Sequence, residues 1–183
     1  MIFLIGGAAR AGKSILAQQI SAKLKIGWVS TDLLMELLRV NNKEGIKTSW
    51  NASLEAIRSH AEWFFPYLER FTWGVSSLAD NYVIEGVDFL PAQVVQLSTR
   101  YAIRSVFLGR SEMTLEAFNR FPGRSRGYSS LPEEMRRQIV SDVPLWSEFI
   151  RQESERHSLP YFDMANDFAQ RLRETETVLT TGL

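Results

Sequence analysis

The chain of 183 residues carries 21 Lys+Arg against 21 Asp+Glu, so its formal net charge is zero. That balance provides no basic footprint for nucleic acid or an anionic membrane surface, and without cysteine neither a disulfide nor a thiol mechanism is open to it. Hydrophobic residues at 45% and charged residues at 23% fit one globular domain spanning 1–183. No stretch reaches the roughly 20 apolar residues of a membrane span. The apolar N-terminus is too short for a secretory leader, so a cytoplasmic location is expected.

Strand-like and helix-like runs alternate along the chain. Phe3-Leu4-Ile5 reads as a buried strand. Lys13–Leu24 follows as a helix, with Ile15, Leu16, Ile20 and Leu24 on one face. Ile26–Ser30 is the second strand, and Leu33–Val40 the next helix, capped by Thr31 or Asp32. Asn41–Ser49 is polar and turn-rich. Asn51–Leu78 has long helical periodicity with a bend expected at Pro66. Tyr82-Val83-Ile84 is the third strand, and Pro91–Thr99 a short helix with proline in its first turn. Ile103–Leu108 is the fourth strand, then Glu112–Asn119 is helical. The segment 122–130 is rich in Gly, Arg and Ser. Pro132–Arg156 is helical with a break or kink expected at Pro144. Tyr161-Phe162 is a fifth strand and Phe168–Val178 a final helix. The alternation predicts a parallel sheet with helices on both faces.

Between the first strand and first helix lies Gly7-Ala8-Ala9-Arg10-Ala11-Gly12-Lys13-Ser14, the G-x-x-x-x-G-K-S of a P-loop. Glycines let successive N–H groups turn inward onto phosphate oxygens, and the positive end of the helix favours the same anion. Gly7 through Ile15 are therefore the expected nucleotide-phosphate ligands. Lys13 is expected to reach the β- and γ-phosphates and Ser14 to offer its hydroxyl to Mg²⁺.

Two acids stand at strand ends, where open α/β sheets place ligands. Asp32 ends Val29-Ser30-Thr31-Asp32; it is suited to activate an acceptor hydroxyl or to hold Mg²⁺ through water, and also to cap a helix. Glu85 ends Val83-Ile84-Glu85-Gly86, where a metal-side carboxylate is expected. Which of the two is base and which is metal ligand stays open. Arg120, Arg124 and Arg126, with Arg110 upstream, frame a glycine-rich loop that reads as a basic lid at about 120–131, able to neutralise a transferring phosphoryl group. His60 and His157 lack metal-ligand spacing and read as structural or surface residues. The five tryptophans read as core; Trp50, beside Lys47, Thr48 and Asn51, is the one placed where a second substrate would dock.

These residues resemble the small P-loop kinases of the nucleoside-monophosphate, shikimate and gluconate kinase type. Gly7–Ser14 matches their phosphate loop, Thr31-Asp32 their aspartate after the second strand, and Arg120–Arg126 their arginine lid. Within that group, Val29–Asp32 together with the segment from Val83 to Pro91 is most similar to 2-phosphoglycerate kinase-like proteins, with Asp88 where a histidine is common. The resemblance implies a three-layer α/β/α fold, a five-stranded parallel sheet in order 2-3-1-4-5, ATP as donor, Mg²⁺ as cofactor and a small hydroxyl-bearing acceptor. A GTPase is disfavoured, because no D-x-x-G follows a strand and no N-K-x-D occurs. A nucleotide-binding ATPase or regulatory protein, a nucleoside or nucleotide kinase and a polynucleotide-end kinase are the other readings of a P-loop chain.

Overall fold

The computed structural model describes residues 1–40, 52–78, 81–120 and 130–182. In chain order the elements are β1 (Ile2–Gly7), α1 (Lys13–Leu24), β2 (Gly27–Ser30), α2 (Thr31–Arg39), α3 (Leu54–Leu78), β3 (Tyr82–Glu85), α4 (Pro91–Ser98), β4 (Ile103–Gly109), α5 (Leu115–Arg120), α6 (Glu133–Arg156), β5 (Tyr161–Asp163) and α7 (Phe168–Thr180). The strands form one parallel sheet in the order β2-β3-β1-β4-β5. This is the order expected from the resemblance.

Alternation along the strands builds two cores. Phe3 and Ile5 of β1, with Val83, Val106 and Leu108, pack against Leu16 and Ile20 of α1 and Leu172 and Leu179 of α7. Leu4, Ile84 and Phe107 face the other way, onto Phe64 and Leu68 of α3, Val94 and Leu97 of α4, and Phe149 and Ile150 of α6. A continuously buried β1 is what a central parallel strand requires. Register then sets the site. Ser30 and Ile5 both align with Glu85, so β2 and β3 finish level, while β1 runs on to Gly7 beside β4 and carries the loop past them.

Two sequence expectations are corrected. The cap of α2 is Ser30, not Thr31 or Asp32: its extended backbone lets its hydroxyl accept from the Asp32 N–H at 3.3 Å. Thr31 is drawn inward instead, fully buried. The helix expected from Glu112 begins at Leu115, because Thr114 Oγ1 takes the Ala117 N–H at 3.1 Å and starts the helix there. The prolines do not divide their helices: α3 runs through Pro66 and α6 through Pro144. A proline inside a helix costs about 3 kcal/mol. Each is flanked by apolar residues sunk in the core, Phe64 and Leu68 around Pro66, Val143 and Ile139 before Pro144, and burying a single such side chain returns about 1.5–3 kcal/mol.

Candidate functional site

α1 opens without a protein cap. Its N-cap is Gly12, which has no side chain to offer, and its first turn has no acidic residue. The positive end of the helix is therefore left for an outside anion. Gly12 sits at φ 95°, and a Cβ there would lie 2.8 Å from the Phe168 ring, so only glycine both makes the turn and clears α7. The loop is pinned to β4 by Ala8 N–H donating to the Leu108 carbonyl at 2.8 Å. Arg10, at φ 64° and half-buried, lays its guanidinium 4.9 Å from the Phe118 ring centre on α5.

Lys13 is 6% exposed, and its Nζ donates to the Ala8 carbonyl at 2.7 Å. Burial pushes its pKa down, opposed by the negative charges of Glu85, Asp32 and Asp88. Ser14, one residue on, is exposed, and its hydroxyl donates to Glu85 Oε1 at 3.0 Å. Glu85 is buried at the end of β3. Burial pushes its pKa up, against Lys13 and hydrogen bonds from Ser14 and Ser30.

Asp32, in the first turn of α2, keeps an exposed side chain. Partial desolvation raises its pKa, and Asp88 raises it further, while Lys13 and Arg39 pull it down. Asp88 belongs to a buried chain of hydrogen bonds. Its Oδ2 accepts from Thr31 Oγ1, and its Oδ1 pairs with His60 Nε2 at 2.6 Å. The link needs Gly86, where a Cβ would lie 1.7 Å from Thr31 Oγ1. His60, expected to be structural or at the surface, is 2% exposed and stands one bond from the acid that influences both Asp32 and Lys13. Nothing in its local sequence signals this, because the pairing crosses from α3 to the β3–α4 turn.

A narrow cavity of about 30 Å³ lies at the start of the P-loop, lined by Gly7, Ala8, His60, Ile57, Trp146 and Ile150 among others. Trp146 is thus a cavity wall, and Trp73, expected in the core, is 47% exposed with the Arg70 guanidinium 4.0 Å above its ring. A larger apolar groove of about 520 Å³, between α2 and α3, includes Leu34, Leu38, Phe71 and Val75 and none of the phosphate-loop residues.

Of the lid, Arg120 ends α5 with an exposed side chain. Arg124, Arg126 and the rest of 121–129 lie outside the described residues, as does Trp50. Arg110 donates from Nε to the Glu112 carbonyl at 3.1 Å. Among the described residues no three His, Asp or Glu side chains converge as a ready metal cage. The oxygens of Ser14 and Glu85 fit Mg²⁺ in the way phosphate-binding enzymes use it, with few protein ligands and the remainder from phosphate and water.

Among solved structures, a shikimate kinase from Bacteroides thetaiotaomicron is 15% identical with a TM-score of 0.52, covering 98% of each chain. A sugar kinase from Janibacter sp. HTCC2649 is 13% identical with a TM-score of 0.55, over 99% of this chain and 95% of that one. A shikimate kinase from Acinetobacter baumannii, solved with shikimate, is 15% identical with a TM-score of 0.52, over 100% and 94%. No protein-family model and no curated protein sequence matches the chain. The fold is that of the P-loop kinases.

Proposed function

We propose that this protein is an ATP-dependent phosphotransferase that moves the γ-phosphate onto a hydroxyl of a small metabolite. The observation that carries the reading is the convergence of Lys13, Ser14, Glu85 and Asp32 where β2 and β3 end level beside the loop that leaves β1. A nucleotide-binding module needs the loop alone; transfer to a second molecule also needs an acid beside it.

The residues divide the work as follows. The N–H groups from Gly7 to Ile15 and the Lys13 ammonium hold the phosphate chain. Ser14 and Glu85 would hold Mg²⁺, which when bound supplies charge neutralisation on the β- and γ-oxygens. Asp32 orients the acceptor hydroxyl and takes its proton. Arg120, Arg124 and Arg126 neutralise the transferring group and exclude water. Phosphoryl transfer asks for positioning and charge rather than covalent catalysis, and this set has no nucleophile of its own. The neutral net charge favours a small acceptor over a polynucleotide end. The resemblance points to a 2-phosphoglycerate-like acceptor as one candidate.

ADP release with ATP and Mg²⁺ against sugars, glycerates, nucleosides and nucleotides tests the reading. Acceptor-dependent ADP is expected, lost in Lys13→Ala and reduced about 10²- to 10⁴-fold in Asp32→Asn, the usual worth of a positioned base. ADP formation indifferent to every acceptor would convert the reading to a plain ATPase.

A further inference from the structure

His60 Nδ1 is buried and has no hydrogen-bond partner among the described residues. Its other nitrogen is committed. The Asp88 carboxylate can only accept, so the 2.6 Å contact is a donation from His60 Nε2–H. In the neutral ring Nδ1 then carries a lone pair. The tautomer is thus set by Asp88, which Thr31 holds from the other side.

The ring borders the cavity at the start of the P-loop. The other side-chain walls there are Ile57, Val87, Leu90, Trp146 and Ile150, and among the described residues no Lys or Arg lines it. At about 30 Å³ the space exceeds the roughly 10–15 Å³ that one water needs and suits a small polar group. Among the described lining residues a carboxylate or phosphate group would meet no counter-charge, and burying an unpaired anion is costly.

We propose that His60 Nδ1 accepts a hydrogen bond from an alcohol of the phosphoryl acceptor, and that the acceptor presents an uncharged, hydroxyl-bearing end to this cavity. This rests on the kinase reading and narrows its substrate class, away from an acceptor that enters by a carboxylate or phosphate. His60 is a recognition residue. Through Asp88 and Thr31 its occupancy is tied to the start of α2, where Asp32 resides.

Matched pairs test the class: glycerol against D-glycerate, glucose against gluconate, with the full chain, ATP and Mg²⁺. The uncharged member is expected to have at least tenfold higher kcat/KM. His60→Gln keeps an amide for Asp88 but removes the Nδ1 acceptor; it should raise the acceptor KM about tenfold, the worth of one hydrogen bond, with the ATP KM unchanged. His60→Asn restores a polar atom near the Nδ1 position and should recover part of that loss. Preference for the charged members, or equal acceptor KM in wild type and His60→Gln, overturns the proposal. Nitrogen-15 spectra of histidine-labelled protein decide the assignment without turnover. Nδ1 should be unprotonated and should shift on titration with glycerol. A protonated Nδ1, or a resonance indifferent to glycerol, also overturns it. Silence of every acceptor together with a glycerol-responsive Nδ1 would instead sink the kinase reading and leave a hydroxyl-binding site.

Discussion

Ser14 Oγ donates to Glu85 Oε1 at 3.0 Å across 71 positions of sequence, joining the first turn of α1 to the end of β3. A strained or idle carboxylate would not be kept there. Burial disfavours its charge, and what offsets that penalty is the hydroxyl, the nearby Lys13 and, by the reading above, a cation. Glu85→Gln should therefore divide function from stability. Loss of a metal-positioning group lowers Mg²⁺-dependent ADP release about 10- to 100-fold, read by Mg²⁺ titration. The neutral isostere should unfold at a higher temperature near pH 7. The sign follows from linkage: a folded pKa above the ordinary 4.5 penalises the fold where the acid is ionised and not below it. The gain should vanish as the pH falls under that value; a gain that persists in acid would contradict the cause given.

Gly86→Ala tests the approach of α2 to the strand end. The new Cβ would meet Thr31 Oγ1 at 1.7 Å, with two more Thr31 atoms at 2.7 Å. Overpacking of this kind costs about 1–3 kcal/mol, and here it also pushes Thr31 off Asp88. Denaturant titration should show the loss of stability. Acceptor-dependent kcat should fall further than the ATP KM changes, because Lys13 and the loop are untouched.

Asp163 at the end of β5 gives a pH prediction of the opposite sign. Burial pushes its pKa up, but the Ser111 hydroxyl and the N–H groups of Ser111 and Ala165, each donating to Oδ1 at 3.0 Å, hold the net value below the ordinary 3.8. A depressed folded pKa contributes stability above the unfolded value, lost as the pH falls through the folded one. Asp163→Ala should cost about 1.5–3 kcal/mol at pH 7, the range for hydrogen bonds to a charged group. Urea midpoints of the two proteins should converge at the acid end.

Glu153 on α6 is nearly buried and takes two guanidiniums, Arg58 of α3 at 3.1 Å and Arg156 at 2.6 Å. Arg58 also covers the Phe149 ring at 4.8 Å. Because Ile57 and His60 share α3 with Arg58, this clamp sets the spacing of the cavity walls. Glu153→Ala leaves both arginines in solvent, so the loss should be modest, about 1–3 kcal/mol. Thermal unfolding measures it, and the acceptor KM should rise with it.

The sequence exposed what depends on local spacing. Gly7–Ser14 is contiguous, so the phosphate loop was readable residue by residue, and the regular exchange of strand and helix signals carried the fold class. The strand order came from the resemblance. Asp88 was visible only as a departure from a pattern. His60 was set aside because its partner, 28 positions away, reaches it only once α3 has packed over the sheet. The Ser30 cap was missed for a related reason: three consecutive residues, Ser30, Thr31 and Asp32, can each cap a helix, and only the buried Asp88 decides that Thr31 turns inward and leaves the task to Ser30.

The Lys13–Ala8 contact at 2.7 Å has a consequence for selectivity. The loop carbonyl takes one of the ammonium's three N–H donors, so under the proposed reading an incoming phosphate would draw on the other two or compete for the first. A polyphosphate with several oxygens and a full negative charge outbids one neutral carbonyl, whereas a nucleoside or a lone base offers nothing to trade. By the proposed reading the Ala8 carbonyl holds the ammonium over the loop, and a bound phosphate chain would draw it across.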